Sequence, residues 1–412
     1  MRSILHFLHI HTRQDTESSL SEQTPKAFYL IAEPGYPNYG DELIAGEWLS
    51  LLGKYYPQTP VVVDCARPGP AAVILKDKHP HAIFTDTLRR LGTENPFPYD
   101  GPIDDIAGFV GEALNDEGIA PNYASGIRLL QHGVQSIHML GGGYMRGDWT
   151  CNLSRLAIGP WAHERNIPVV ATGLGLMPIE GDSLRFAQQA AGSFDVFTVR
   201  DVPTQAALQE GSSADAANAV KVAPDDCFVN GLEDCYASPE GLPDVMVCVQ
   251  SDFVTEQQAL FEQVGRTLER WGVGKDDAIG VVECNPRIDY PVLPYLAEHG
   301  YSNLRFFPVI DVLEKGFPAR AGQRWLSTRY HPHILAAAKG CSGSFISVDS
   351  GYYDVKHDAV MRMGSHWTRN TIGEMPPDPG PGFKQDGLVE EHSAQIRRNV
   401  HALYPRIPIS GE

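Results

Sequence analysis

From residue 27 onward, short, mostly apolar runs alternate with longer stretches in which apolar residues recur every three or four positions. "AFYLIA" (27–32), "PVVVDC" (60–65), "SIHML" (136–140), "PVVATG" (168–173) and "VFTVR" (196–200) are of the first kind. Runs that are apolar at nearly every position, rather than at alternate ones, fit parallel strands covered on both faces. Helical periodicity fills the gaps at 41–53, 126–133, 152–165 and 183–191. This alternation predicts a doubly wound α/β domain over residues 27–231.

The pattern stops at "NGLEDCYASPEGLPD" (230–244), a polar, turn-rich stretch that reads as a linker near 232–243. It then restarts with "VMVCVQ" (245–250), a helix from about 255 to 271, "AIGVVEC" (278–284), "LRFFPV" (304–309) and "SFISV" (344–348). A second α/β domain over 244–373 is expected, followed over 374–412 by a Pro/Gly connector and a terminal helix. Residues 1–26 read as a poorly ordered lead-in. The fold class expected is therefore α/β, with two Rossmann-like domains facing a cleft in a GT-B-like arrangement. In such sheets ligands sit beyond the carboxyl ends of the strands, so the strand-end loops are where chemistry is sought.

Composition narrows the partners. The 412 residues exceed what one ordinary core accommodates. A net charge of −18 leaves no basic stripe for a nucleic acid. A small anion can still be held where a few cations converge, because distant carboxylates are screened beyond ~8 Å at physiological salt. The seven cysteines are scattered without a CxxC pair, which predicts neither a disulfide framework nor a zinc site and favours the cytoplasm. No run approaches the ~20 apolar residues of a membrane span. Any membrane association is expected to be peripheral, through a substrate.

Five strand-end loops carry candidate chemistry. The turn "YPNYGDE" (36–42) offers Asn38, Gly40 and Asp41 at a helix start, as caps or as ligand contacts. In "MLGGGYMRGDW", Gly142 and Gly143 permit close backbone approach, and Arg146 is a candidate phosphate clamp. "ATGLGLMP" is a second glycine-rich strand end, and "TVRDVPTQAAL" places Arg200 at the end of a strand, its planar fork suited to a carboxylate or phosphate. The richest is "WLSTRYHPHILAAAKG". There Arg329 and His331 fall where an extended segment enters a helix, with Pro332 fitting its first position and Gly340 its stop. A guanidinium, an imidazole and a helix N-terminus together make an anion site. Lys356, after the next strand, adds a further cation.

The ordered series "NYGDELI", "MLGGGY", "ATGLGLMP", "FTVRD", "APDDCF", "STRYHPHILAAAKG" and "GYYDVKHD" resembles the polysaccharide pyruvyl transferase family, over about residues 28 to 365. The resemblance implies transfer of the enolpyruvyl unit of phosphoenolpyruvate to a hydroxyl pair of a saccharide or glycolipid as a cyclic ketal, with no metal or cofactor. It implies that Arg200, Arg329 and His331 hold the donor. Proton delivery to the donor methylene makes His331 the expected general acid, with Asp41 or Glu283 (in "VVECNP") as base. The alternatives are a nucleotide-sugar glycosyltransferase of the same architecture and a non-catalytic carbohydrate-binding relative.

Overall fold

The computed structural model describes residues 25–211, 220–349 and 351–410, so most of the expected N-terminal lead-in lies outside the described residues. Seven strands form the first sheet: β1 (Ala27–Ile31), β2 (Val61–Asp64), β3 (Ala82–Thr85), β4 (Val134–Met139), β5 (Val169–Leu174), β6 (Val196–Val199) and β7 (Val220–Val222). Six form the second: β8 (Val245–Cys248), β9 (Ile279–Val282), β10 (Leu304–Phe307), β11 (Arg324–Ser327), β12 (Ser342–Phe345) and β13 (Thr368–Arg369). Every strand pairing is parallel. The apolar runs explain this: β1, β2, β5, β8 and β9 are buried along their whole length, with helices on both faces.

The strand orders are β3-β2-β1-β4-β5-β6-β7 and β10-β9-β8-β11-β12-β13. Both are the Rossmann order, which reverses direction once, at β1/β4 in the first sheet and β8/β11 in the second. A crevice opens at such a reversal because the two following connections leave to opposite faces of the sheet. The two Rossmann-like bodies expected from the sequence are thus present, each with its own crevice.

The bodies share an apolar contact. Tyr39, at the start of the helix Tyr39–Tyr55, packs against Phe317 with ring centroids 5.5 Å apart. Its backbone N–H donates to the Cys284 carbonyl, 2.8 Å away in the second body. The last helix, Leu388–Val400, returns to the first body, where Ser393 Oγ and Arg397 Nε both donate to the Val229 carbonyl (2.8 and 2.9 Å). Beyond it Tyr404 lies edge-on to Phe28, centroids 5.0 Å apart.

Two expected helices differ in detail. The stretch 152–165 is broken into short helical turns at Thr150–Leu153, Ser154–Ala157 and Ile158–Glu164. The stretch 126–133 ends in a widened turn, Leu129–Gly133. No described helix is long and apolar enough to cross a membrane.

Candidate active site

A cavity of about 280 Å³ lies between the two bodies. Its walls come from the loops at both reversal points: Asn38, Gly40 and Asp41 after β1, Gly143 and Trp149 after β4, Asp252 and Phe253 after β8, and Arg329 to Pro332 after β11. Arg200, Asn285, Tyr352 and Lys356 close it from neighbouring strand ends. The sequence-predicted residues Asn38, Gly40, Asp41, Gly143, Arg200, Arg329, His331 and Lys356 are therefore brought together.

The helix Tyr330–Ala338 begins at Tyr330, so Pro332 is its third residue rather than its first, and Arg329 occupies the cap position. His331 Nε2 lies 3.4 Å from Asp225 Oδ1. Asp225, wholly buried after β7, also takes the Cys227 N–H at 3.0 Å and faces Arg200 Nη1 at 3.5 Å. Burial alone would raise its carboxyl. The charges of His331 and Arg200 and the Cys227 N–H outweigh it and hold Asp225 well below the usual carboxylate range. Asp225 thus faces the imidazole and balances the guanidinium.

Arg200 is buried, its guanidinium carbon 4.5 Å above the Tyr330 ring. Two glycines make room for it. A Cβ on Gly175 would lie 2.7 Å from Arg200 Nε. A Cβ on Gly143 would lie 2.7 Å from Arg200 Nη2, 2.9 Å from Tyr352 Oη and 3.3 Å from Lys356 Nζ. Three donors from two bodies thus converge on the space that a side chain at 143 would fill.

Lys356 Nζ sits 3.5 Å from the Tyr352 ring centroid, and among the described residues no carboxylate oxygen lies within ion-pair distance of it. Burial first, then the charges of Arg200 and Arg329, push its ammonium well below the ordinary lysine range, with Asp41 opposing. Arg329 is more fully compensated. Its Nε and Nη2 donate to Asp289 Oδ1 (2.9 and 2.6 Å), Nη2 is 3.2 Å from Asp252, and Nη1 donates to the Tyr353 hydroxyl at 3.4 Å, which leaves the second N–H of Nη1 to face a ligand.

Asp41 does not cap its helix, and neither does Asn38: no side-chain cap bond forms at Asn38, whose amide instead donates to Asp41 Oδ2 at 2.7 Å. Burial pushes the Asp41 carboxyl up to about 6, opposed by His331 and helped by Glu33. Its neighbour Glu42 turns back to accept the Gly35 N–H (2.7 Å) and so pins the turn itself.

A sequence model described as "Polysaccharide pyruvyl transferase" matches residues 38–305. The chain belongs to the polysaccharide pyruvyl transferase family. The match takes in Asp41, the Gly143 loop, Arg200 and Asp225, whereas Arg329, His331 and Lys356 lie past it. No curated protein matches the chain. Among solved structures, the chain is similar to UDP-GlcNAc 2-epimerase from Neisseria meningitidis, with a TM-score of 0.46, 10% identity and 92% of each chain covered. It is also similar to MurG from Acinetobacter baumannii, with a TM-score of 0.45, 12% identity, and 93% of this chain and 94% of that one covered. Likeness at this level carries no functional argument.

Three residues singled out from the sequence play other parts in this pyruvyl transferase family member. Glu283 does not line the cavity: its oxygens accept the Arg287 and Val309 N–H groups (2.9 and 3.2 Å), which fixes the loop after β9. Arg146 is no clamp, because Nε and Nη2 both go to Asp148 (2.8 and 2.6 Å) and its guanidinium packs among aromatic rings. Gly142, at φ +151°, knits β4 to β5 by donating to the Gly173 carbonyl (3.3 Å) and accepting from Gly175 N–H (2.9 Å).

Asp225 was missed. "APDDCF" marked the place, but which acid faces the cleft is decided by packing. Asp226 points the other way and takes the Trp48 Nε1–H, Gly141 N–H and Thr172 hydroxyl (3.1, 2.9 and 2.5 Å). The other unforeseen feature is a buried grouping of Cys248, Cys284 and Asp289, close enough to share an ion. Asp289 Oδ2 already accepts the Cys284 and Asn285 N–H groups (2.9 and 3.0 Å), and Oδ1 holds Arg329, so the carboxylate's role here is to anchor that arginine.

Proposed function

We propose that this polysaccharide pyruvyl transferase family member moves the enolpyruvyl unit of phosphoenolpyruvate onto two hydroxyls of a saccharide or glycolipid, forming a cyclic ketal and releasing phosphate. The observation that carries the reading is the cavity between the two bodies, where Arg200, Arg329, His331 and Lys356 all reach the lining. The uncompensated Lys356 makes that space a receptor for a compact, highly charged anion, and phosphoenolpyruvate carries both a phosphate and a carboxylate.

In this reading the phosphate meets Arg200 and Lys356, and the carboxylate meets Arg329 Nη1. His331, facing Asp225, protonates the donor methylene, which leaves the adjacent carbon cation-like. Asp41 takes the proton of the first sugar hydroxyl as its oxygen bonds to that carbon. The C–O bond to phosphate then breaks, and the second hydroxyl closes the ring and gives its proton to the departing phosphate. Donor and diol give ketal and inorganic phosphate, with protons balanced. Asp41 is suited to the base role because burial brings it toward neutrality.

The test is incubation of glycan fractions with phosphoenolpyruvate, followed by mass spectrometry for an added pyruvate ketal, alongside thermal-shift titration with phosphoenolpyruvate and with a UDP-sugar. Ketal product and stabilisation by phosphoenolpyruvate are expected. Stabilisation by the UDP-sugar alone, with no ketal formed, sinks the reading in favour of nucleotide-sugar transfer.

A further inference from the structure

At the mouth of the cavity, aromatic rings from both bodies meet. Phe253, after β8, is 46% exposed although it lines the cavity. Its ring centroid lies 5.9 Å from that of Tyr352 and 6.1 Å from that of Tyr353. Facing it from the first body is Trp149, and between them sits Arg146, its guanidinium carbon 4.9 Å from the Trp149 ring, 4.6 Å from Tyr352 and 5.7 Å from Phe253. With Nε and Nη2 of Arg146 bonded to Asp148, this cation is a spacer between the rings.

The backbone of Phe253 is left-handed, at φ +56°. A bulky residue there is a genuine outlier, and such strain persists only where the surroundings impose it. They do so here. Gln250 Nε2 donates to the Asp252 carbonyl and carboxylate (2.9 and 3.0 Å), and that carboxylate is 3.2 Å from Arg329. The result turns an apolar ring toward the cavity while Asp252 and Asn285 line the same space.

We infer that Phe253, with Trp149 facing it, is the platform for the pyranose ring of the acceptor, whose hydroxyls meet Asp252 and Asn285. A pyranose has an apolar C–H face and a hydroxyl rim, and a ring bordered by an acid and an amide is complementary to both. The inference rests on the pyruvyl transfer reading for the identity of the second substrate. It adds which residues select that substrate.

The experiment uses the full chain as wild type, Phe253→Ala and Phe253→Trp. Each is titrated with methyl pyranosides of glucose, galactose, mannose and N-acetylglucosamine in the presence of inorganic phosphate. Binding is read by saturation-transfer NMR on the sugar ring protons and by tryptophan fluorescence, and phosphoenolpyruvate affinity is measured in parallel by calorimetry. At least one glycoside is expected to bind the wild type, with about 10-fold loss in Phe253→Ala and retention in Phe253→Trp. Phosphoenolpyruvate affinity stays equal in all three proteins, which also reports that the variants are folded. The inference is overturned if no glycoside binds the wild type, if Phe253→Ala binds as well as wild type, or if UDP displaces the sugar from this surface. Absence of phosphoenolpyruvate binding in the wild type strikes the donor reading instead, and the glycoside titration is scored independently of it.

Discussion

The imidazole of His331 rests on Gly40 so closely that a Cβ at residue 40 would lie 1.9 Å from its Nδ1. One residue belongs to the first body and the other to the second, so this contact measures how far the cleft is closed. Gly40→Ala is expected to displace His331 or part the bodies. A misplacement of this size costs about 10²-fold in kcat. Steady-state kinetics checks this, with small-angle scattering to show whether the particle expands. Unchanged kcat refutes His331 as the acid in this pose.

Asp41 must be ionised to accept a proton, and its carboxyl titrates near about 6. The wild-type rate with acceptor should therefore fall as pH drops below about 6, a limb that Asp41→Asn removes along with ~10²-fold or more of kcat. Phosphoenolpyruvate affinity should hardly move, because Asp41 stands among the cations without pairing with one. Stability has the opposite sign. The folded pKa is raised, so stability present at low pH is lost as pH rises through about 6. Asp41→Asn should then melt higher than wild type at pH ~7.5, the gap closing near pH ~4, where a free aspartate titrates.

Lys356 is held well below the ordinary lysine range by burial and by Arg200 and Arg329. A bound dianion reverses that balance, so binding of phosphoenolpyruvate should take up a proton. Calorimetry in buffers of different ionisation enthalpy reads the uptake as a slope. The slope should shrink in Lys356→Arg, which is charged at all working pH values.

Removal of Asp225 leaves Arg200 buried opposite no carboxylate. Asp225→Ala should lose about 3–5 kcal/mol of stability, the scale for a broken buried ion pair. Chemical denaturation of the variant checks the figure. Asp225→Asn keeps the shape and a hydrogen bond but not the charge, and should recover part of the stability while kcat stays low.

How much of this was legible in the chain follows from where each residue finds its partner. β1 and β8 could be read because every position in them is apolar and every position is buried. β3, with only intermediate or exposed positions at the sheet edge, and the three-residue β7 offered no such run. At the cleft, Arg200, Arg329 and His331 stood out because cations at strand ends are costly without an anion to meet. Arg146 and Glu283 are likewise charged residues that follow apolar runs. Their partners, Asp148 two residues on and the N–H groups of Arg287 and Val309, are set by local turns that periodicity does not encode.

Because Phe28 and Tyr404 touch, the two ends of the described chain belong to the same body, and the second body is a guest carried on an outgoing and a returning crossing. Each half of the reaction centre is therefore held at high effective concentration to the other, even when the cleft gapes. The proposed acid, His331 on the guest, and the proposed base, Asp41 on the host, would meet again without a search. In the proposed reaction, parting the bodies to admit an acceptor would leave the pairing to be restored by their return alone.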